Sequence, residues 1–317
     1  MKKKLIKIGM ALLTGILFVS TYYVLNHALL RKTKYGNWNY LVKVGNFHLI
    51  EENTLDVVVL GSSHAYCSID NLLLKEEYGI ESYTLATQQQ SLKLNYYYFQ
   101  EMLKTQSPEI VVVELFMVGR VNGYQSDDIL HDAIDVLPMS WNKIQMIEDA
   151  VPEDKRMEHY FPIIKYHTRW KELTLDDFSF DYKSWVDEEH GFVRLHQVYP
   201  TELDLSLSLG KVRDLTEEEL EYLDKIENLA SENSIKLIYL YAPYPMDGNG
   251  VDYAYTLEKY ADSKGILYLN GYELLTELNY DGSLDFCDEY GHLNESGAQK
   301  LTYFLGKYLQ QILPLSK

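Results

Sequence analysis

Five short, mostly apolar runs separated by helical patterns constrain the fold of this chain more than any other sequence feature. The runs are Leu55–Leu60, Ser82–Ala86, Ile110–Leu115, Ile235–Tyr241 and Ile266–Leu269. Continuous runs of this length are typical of strands buried on both faces of a parallel sheet. Helical segments between them would form right-handed crossovers that cover both faces. We therefore predict an α/β fold, a three-layer α/β/α domain around a central, mostly parallel five-stranded sheet.

The pattern has one long interruption. Helices are predicted over residues 69–78, 91–105, 215–231, 253–263 and 294–313. Between the third and fourth runs, residues 116–214 carry few strand signals and many aromatic and acidic side chains. Loops this long are usually functional or structured, and ligands bind beyond the carboxyl ends of parallel strands. We expect this insertion to form a cap over a site.

The first fifty residues differ from the rest of the chain. They contain eight Lys/Arg, no Asp/Glu and the uncharged run Ile8–Leu25, which as a helix is about 27 Å long, close to the thickness of a bilayer core. Four lysines precede the run, which places the N-terminus in the cytoplasm and the body outside the cell membrane. A cleaved signal peptide is the alternative, with the same side for the body. The predicted organisation is a cytoplasmic tip and membrane anchor at 1–30, a linker at 31–53 and the α/β domain at 54–317.

Charge and motif content exclude several classes of function. The net charge is −18, and residues 51–317 carry 21 Lys/Arg against 47 Asp/Glu. Such a body repels phosphate backbones, so no nucleic-acid partner is predicted. Neither a Gly-x-Gly-x-x-Gly nor a P-loop spacing occurs, and no cofactor is predicted. The acidic run Asp127–Asp135 has metal-ligand residue types, but such runs are usually solvated helix faces, so no metal is predicted.

Ser63 is the candidate nucleophile, because Gly61-Ser62-Ser63-His64 directly follows the first run. A serine at a strand-to-helix turn exposes its hydroxyl at the sheet edge, and its own amide can stabilise an oxyanion. The alternative is that Ser62 and Ser63 only cap the following helix. His64 is too close in the chain to act as the base, and we expect it to be structural.

The candidate base is His292, in the segment Asp285-Phe-Cys-Asp288-Glu289-Tyr-Gly-His292 before the last predicted helix. A serine becomes a good nucleophile when an imidazole accepts its proton and a carboxylate orients that imidazole. Asp288 or Glu289 could supply the carboxylate. The alternative is an acidic surface loop with one histidine. We predict that Ser63, His292 and Asp288 converge, with Glu289 as the alternative acid.

These segments resemble the SGNH, or GDSL-like, hydrolase superfamily over about residues 54–317. Gly61-Ser62-Ser63 resembles the first block of that family, with Ser63 as nucleophile, and Gly291-His292-Leu-Asn294 resembles the last block, with His292 as base. The segment 82–90 resembles the second block, whose backbone amide completes the oxyanion hole. The resemblance makes Gln89 and Gln90 candidate oxyanion or substrate residues.

Two positions depart from the family pattern. Its Gly-x-Asn-Asp block is absent after strand three, where Glu114-Leu-Phe-Met stands instead. The usual spacing of the acid, three residues before the histidine, falls on Glu289, whereas the flanking residues align better with Asp288.

With its anchor, the chain is similar to extracytoplasmic SGNH proteins of Gram-positive bacteria that act beside a membrane-bound O-acyltransferase. Relatives of that type include alginate and peptidoglycan O-acetyltransferases and the accessory protein of teichoic-acid D-alanylation. The resemblance implies serine-dependent O-acyl transfer, chiefly O-acetyl, or ester hydrolysis on a cell-surface polysaccharide or teichoic-type polymer. The alternative is a catalytically silent polymer-binding partner of the acyltransferase.

Two further pairs of residues have open interpretations. His167 and Arg169, in the insertion, suit a polar or sugar ligand, or else an internal ion pair with Asp176 or Asp177. Cys67 lies one helical turn after Ser63, and Cys287 immediately precedes Asp288. If Ser63 and His292 meet, both cysteines lie near them, either bridged or as two free thiols.

Overall fold

The computed structural model describes residues 2–30, 40–120, 125–180, 187–207 and 210–313. The strands are β1 (Val57–Gly61), β2 (Ser82–Ala86), β3 (Ile110–Glu114), β4 (Lys236–Tyr241) and β5 (Leu267–Asn270). The helices are α1 (Lys2–Leu29), α2 (Tyr40–Phe47), α3 (Ser63–Tyr66), α4 (Asn71–Tyr78), α5 (Leu92–Met102), α6 (Asp127–Ile134), α7 (Trp141–Ala150), α8 (Arg156–Tyr160), α9 (Ile163–Tyr166), α10 (Glu217–Glu232), α11 (Gly248–Lys264), α12 (Gly271–Glu277) and α13 (Glu295–Ile312).

The five strands form one sheet in the order β2-β1-β3-β4-β5, and every pairing in it is parallel. The predicted α/β fold with a five-stranded sheet is therefore confirmed. In this order the chain runs outward from β1 to β2 and then crosses back to β3. The point between β1 and β3 is the topological switch point, where open α/β sheets bind ligands.

Successive residues of the central strands point to opposite faces and bury both of them. In β1, Val58 and Leu60 belong to a core cluster with residues of α5, α10 and α11. Val57 and Val59 belong to a second cluster with residues of α4 and α13. Because helices cover both faces, β1 is apolar at every position, which is why it reads as a continuous run in the sequence.

Side-chain caps determine where several helices begin. Thr216 and Glu219 form the predicted capping box at the start of α10. Helix α11 begins five residues before the predicted Tyr253, because the side chain of Asp247 accepts a hydrogen bond from the Gly250 amide at 2.8 Å. Helix α12, which had not been predicted from the sequence, follows β5 directly and is capped by Asn270.

The N-terminal helix α1 is long and apolar enough to cross a membrane, with a mean hydropathy of 1.9 over its most apolar window, and that window is exposed. Its last turns contact the insertion, where Tyr22 packs edge-on against Phe161 and Asn26 accepts a hydrogen bond from the Ile163 amide. Helix α2 lies within the predicted linker 31–53, and its side chains Val44 and Phe47 are buried in the domain core.

In the parts that the structure describes, the insertion 116–214 contributes α6 to α9 and two short 3-10 helices, and its described residues 187–207 and 210–214 form turns and irregular loops. The Gln125 side chain donates a hydrogen bond to the Gln89 carbonyl after β2, and the Val193 amide donates to the Tyr66 carbonyl at 2.7 Å. The insertion therefore contacts the loop after β2 and helix α3, which both lie at the carboxyl edge of the sheet. His131 and Asp135 are buried, so this part of the acidic run is not the solvated face that was predicted.

Candidate active site

The turn after β1 presents Ser63 as the first residue of α3. Ser62 is the N-cap, and its hydroxyl accepts a hydrogen bond from the His64 amide at 3.2 Å. The first amides of a helix have no partner inside the helix. The Ser63 amide donates to no acceptor among the described residues, so it is available for an oxyanion that forms at the Ser63 hydroxyl.

Glu114, the last residue of β3, holds the turn after β1 through hydrogen bonds. It is buried, and one of its carboxylate oxygens accepts hydrogen bonds from the Ser62 amide at 3.2 Å and the Ser62 hydroxyl at 2.8 Å. Its other oxygen accepts from the Phe116 amide. A Cβ on Gly61 would lie 2.6 Å from the Glu114 Cβ, so glycine is required for this approach.

The loop before α13 holds the candidate acid and base in a narrow turn. The Cys287 amide donates to the His292 carbonyl at 2.9 Å, and the Asn294 amide donates to the Asp285 carbonyl at 3.1 Å. Inside this turn, one Asp288 oxygen accepts from the His292 amide at 3.2 Å. Asn294 then caps α13 by accepting from the Gly297 amide. The loop is thereby fixed at both ends.

Three side chains converge across the switch point. His292 Nε2 lies 2.8 Å from Ser63 Oγ, and His292 Nδ1 lies 2.6 Å from Asp288 Oδ2. Burial raises the pKa of Asp288, but the hydrogen bond and charge of His292 outweigh it, so the net shift is downward. An ionised Asp288 assigns the proton to Nδ1 and leaves Nε2 to accept the serine proton. The Glu289 side chain is exposed.

His64 packs against the rings of Phe116 and His292. It is buried, its ring stacks on Phe116 with centroids 3.5 Å apart, and it lies 4.6 Å from the His292 ring. Burial lowers the pKa of His64 well below its usual value, and the charges of His292 and Arg120 lower it further. A neutral, stacked His64 serves as a packing surface for His292.

Arg120 is a functional candidate that the sequence analysis missed. Its guanidinium lies 3.9 Å above the Phe116 ring and donates to the hydroxyls of Tyr241 and Tyr244 at 2.8 and 2.6 Å. The other arginines in the described ranges contact carboxylates, namely Arg156, Arg169, Arg194 and Arg213. Arg120 pairs with no carboxylate of the described residues. The spacing of residues in the sequence did not indicate Arg120, because its partners Tyr241 and Tyr244 lie on β4 and in the loop after β4.

The predicted oxyanion or substrate residues Gln90 and Gln89 differ in their contacts. The Gln90 amide nitrogen donates to Asn95 at 2.6 Å, and its oxygen accepts from Thr87 at 3.0 Å. Gln90 thus stabilises the loop after β2, and its role at the oxyanion hole stays a prediction. Gln89 is exposed, adopts a left-handed backbone with φ +49°, and contacts Gln125 through its carbonyl.

Arg169 and His167 also do not join the Ser63 site. Arg169 donates to the Leu29 carbonyl at 2.7 Å, at the end of α1, and lies 3.5 Å from an Asp177 oxygen. A cation at a helix C-terminus satisfies carbonyls that have no partner in the helix. Arg169 therefore attaches the insertion to α1, and its contact with Asp177 matches the predicted alternative of an internal ion pair; a role in substrate binding stays a prediction. His167 bonds to the Ile164 carbonyl at 2.8 Å and is exposed.

Cys67 and Cys287 are both free thiols, so the bridge between them is not formed. Burial raises the pKa of Cys67 well above its usual value, and burial and the charge of Asp288 raise the pKa of Cys287 to about 12. Ligand atoms of Cys287, Asp288 and His292 lie within 4.8 Å of one another, a spacing that could hold a metal. Both nitrogens of His292 are already hydrogen-bonded, which favours proton transfer over metal binding there.

Glu114 gives the site a measurable pH dependence. Burial raises its pKa to about 7 from 4.5, against the hydrogen bonds from Ser62 and Phe116 that lower it. The folded chain then holds one more proton than the unfolded chain between these values, so its stability falls as the pH rises. The loss is about 3 kcal/mol in total. We expect the free energy of unfolding of the unsubstituted chain to fall relative to that of Glu114→Gln between about pH 5 and 8, because the other titrating groups are common to both proteins. An equal slope in both proteins would contradict this assignment.

Comparison with known proteins gives no matching family model and no matching curated protein. Among solved structures, the chain is similar to a GDSL-like lipase from Bacteroides thetaiotaomicron, with 10% identity, 87% of this chain and 100% of that chain covered, and a TM-score of 0.44. It is also similar to a lipase/acylhydrolase from Enterococcus faecalis, with 11% identity, 83% of this chain and 100% of that chain covered, and a TM-score of 0.41. Similarity at this level does not indicate the substrate or the reaction of this chain. Both have to be inferred from its own side chains.

Proposed function

We propose that the chain is a serine-dependent O-acyltransferase or esterase of SGNH type. One observation carries the proposal: Ser63, His292 and Asp288 form a continuous hydrogen-bonded chain at the carboxyl edge of the sheet. The bond to the Asp288 carboxylate is the shorter of the two, as charge-assisted hydrogen bonds are, and each residue has the chemistry that its role requires. Ser63 is the nucleophile, His292 the general base and Asp288 the residue that orients it.

The reaction follows from this geometry in two steps. In the first, Ser63 Oγ attacks the acyl carbonyl and passes its proton to His292 Nε2, while Asp288 stabilises the imidazolium. The Ser63 amide donates to the developing oxyanion. The imidazolium then protonates the leaving alcohol, and an acyl-serine remains. In the second step, a sugar hydroxyl or water gives its proton to His292 and attacks the acyl carbon. His292 then returns that proton to Ser63 Oγ as the acyl–serine bond breaks.

The proposed setting is the outer face of the cell membrane, with α1 as a single-pass anchor and its N-terminus in the cytoplasm. The length of α1 and the lysines at its start support this topology. The proposed acceptor is a cell-surface polysaccharide or teichoic-type polymer, and a membrane-bound O-acyltransferase is the proposed supplier of acyl groups. In so acidic a body, the uncompensated cation of Arg120 is suited to bind a phosphate or carboxylate of the polymer.

A catalytically silent polymer-binding role is the second candidate. It is favoured by Glu114, because a carboxylate ends β3 where the family resemblance implies an Asn-Asp block. A carboxylate cannot donate to an oxyanion when ionised. A silent module would leave Ser63 unreactive toward acyl donors.

The acyl content of cell-surface polymers tests the proposal. We expect cells with Ser63→Ala in the full-length chain to show less polymer-bound acetate if the protein transfers acyl groups. They would show more if it removes them. Ser263→Ala, the same change at the exposed end of α11, is the matched control. Unchanged acetate in Ser63→Ala cells would contradict both catalytic forms of the proposal.

A further inference from the structure

A second group of histidines and carboxylates lies in the insertion, on helices that carry none of the proposed triad. Asp127 and His131 lie on α6 and Asp135 is its C-cap, so the three follow one another at four-residue spacing on one helix face. Glu158 and His159 lie opposite, on α8. We call these five residues the α6–α8 cluster. His131 and His159 are almost completely buried, with 2% and 0% of their surface exposed.

Three ring nitrogens in the α6–α8 cluster are buried without a hydrogen bond to any described residue. They are His131 Nε2 and both nitrogens of His159. The two rings stack with centroids 3.9 Å apart and planes 13° from parallel, so their nitrogens do not point at each other. An unpaired buried nitrogen costs about 1–3 kcal/mol, and native structures rarely keep one without a ligand, ion or water. These nitrogens are therefore available to bind a ligand, an ion or a water.

Carboxylate oxygens, which are common metal ligands, surround these nitrogens. His131 Nε2 lies 3.8 Å from Asp127 Oδ2 and 3.8 Å from Glu158 Oε2. One ligand atom from each of Asp127, His131 and His159 lies within 4.8 Å of the other two. On the other side of the ring, His131 Nδ1 lies 2.7 Å from Asp135 Oδ2. A carboxylate behind a histidine in this way fixes the tautomer and directs the second nitrogen toward a metal. The other Asp135 oxygen lies 3.4 Å from His159 Nδ1, without the alignment of a hydrogen bond.

We propose that the α6–α8 cluster binds one divalent transition-metal ion, Zn²⁺ in the first instance. The ligands are Asp127, His131 and His159, whose ligand atoms already lie together, and Glu158, which moves from its contact with His131 Nε2 to become the fourth. Asp135 orients His131 through Nδ1. Two imidazoles and two carboxylates are a ligand set that Zn²⁺ accepts, and the carboxylates balance its charge.

Binding requires small, specific movements. Tetrahedral Zn²⁺ with bonds near 2.0–2.1 Å brings its ligand atoms to about 3.3 Å from one another. The two 3.8 Å contacts of His131 would shorten by about 0.5 Å. The His159 ring tilts out of the stack so that a nitrogen faces the ion. Lys165, now 2.9 Å from Asp127 and 3.2 Å from Asp128, keeps Asp128 as its partner.

The expected role is structural. Four protein ligands close the coordination sphere, as in structural rather than catalytic zinc sites. The ion would tie α6 to α8 inside the insertion, whose next helix, α9, contacts α1. The site would thus stabilise the end of the insertion that receives the N-terminal helix.

Metal binding by the purified full-length chain in detergent tests the proposal. After dialysis against a chelator, we expect one equivalent of Zn²⁺ to bind and to raise the unfolding temperature. Glu158→Gln, a conservative change at a partly exposed ligand, should weaken binding by at least about tenfold. Asp135→Asn should weaken it about 10–100-fold, as loss of an orienting carboxylate does. Co²⁺ in place of Zn²⁺ gives a visible spectrum that Glu158→Gln alters.

Two controls separate this site from others. His292→Ala removes a ligand from the Cys287–Asp288–His292 group and should leave Zn²⁺ binding unchanged. The exposed His196, changed to alanine, should have no effect either. Absence of stoichiometric Zn²⁺ binding would overturn the proposal, as would binding that Glu158→Gln leaves intact. Loss of binding in His292→Ala alone would move the site to the triad and would equally overturn it.

Discussion

Ser63→Ala is expected to lower kcat for hydrolysis of a small activated ester by about 10⁴–10⁶-fold, because nothing replaces the nucleophile. The Ser63 hydroxyl is the group that His292 Nε2 contacts at 2.8 Å. The Ser63 amide and the rest of the pocket remain, so a small residual rate above that of water should persist. The measurement is steady-state hydrolysis of p-nitrophenyl acetate by the purified full-length chain.

Covalent labelling by a fluorophosphonate provides a second readout of the same variant. The unsubstituted chain should be labelled at one serine and Ser63→Ala at none, while Ser263→Ala should match the unsubstituted chain in both assays. Labelling requires an activated serine, so it also separates the catalytic from the silent role. A Ser63→Ala protein that is still labelled, or an unsubstituted chain that is not, would contradict the assignment of Ser63.

The sheet could be predicted from sequence because its strands are buried on both faces. β2 matches its predicted bounds, and β3 and β4 differ from theirs by one residue. Helix starts were less accurate where a polar cap decided them. Asp247 begins α11 before its apolar pattern is visible, and Asn270 starts α12 where no separate pattern was recognised.

The convergence of Ser63 and His292 could be predicted because Ser63 follows the first strand and His292 precedes the last helix, and the directions of both elements follow from the predicted parallel fold. Glu114 and Arg120 could not be assigned, since their partners come from distant segments: Ser62 for Glu114, and Tyr241 and Tyr244 for Arg120. The same limit explains Arg169. Its sequence neighbours suggested a ligand, but its main contact is the end of α1, 140 residues away. Spacing predicts side chains that share an element better than it predicts tertiary partners.

The identity of the acid gives the second large effect. We expect Asp288→Asn to lower kcat about 10³–10⁴-fold, because an amide can donate to His292 Nδ1 and stabilise the tautomer whose Nε2 carries the proton. That tautomer cannot accept the Ser63 proton. The substituted side chain keeps an oxygen that can accept from the His292 backbone amide, so the loop should stay folded, and an unchanged unfolding temperature would show this.

Glu289→Gln is the matched control, since it makes the same chemical change one residue away on an exposed side chain. We expect its kcat to stay within about threefold of the unsubstituted chain, because surface changes away from the reacting groups have small effects. Comparing the kcat values of Asp288→Asn and Glu289→Gln decides which carboxylate orients His292. The spacing of acid and base in the family favours Glu289, and the 2.6 Å contact with His292 Nδ1 favours Asp288. A large loss in Glu289→Gln with near-normal activity in Asp288→Asn would reverse the assignment, and would mean that the loop rearranges when substrate binds.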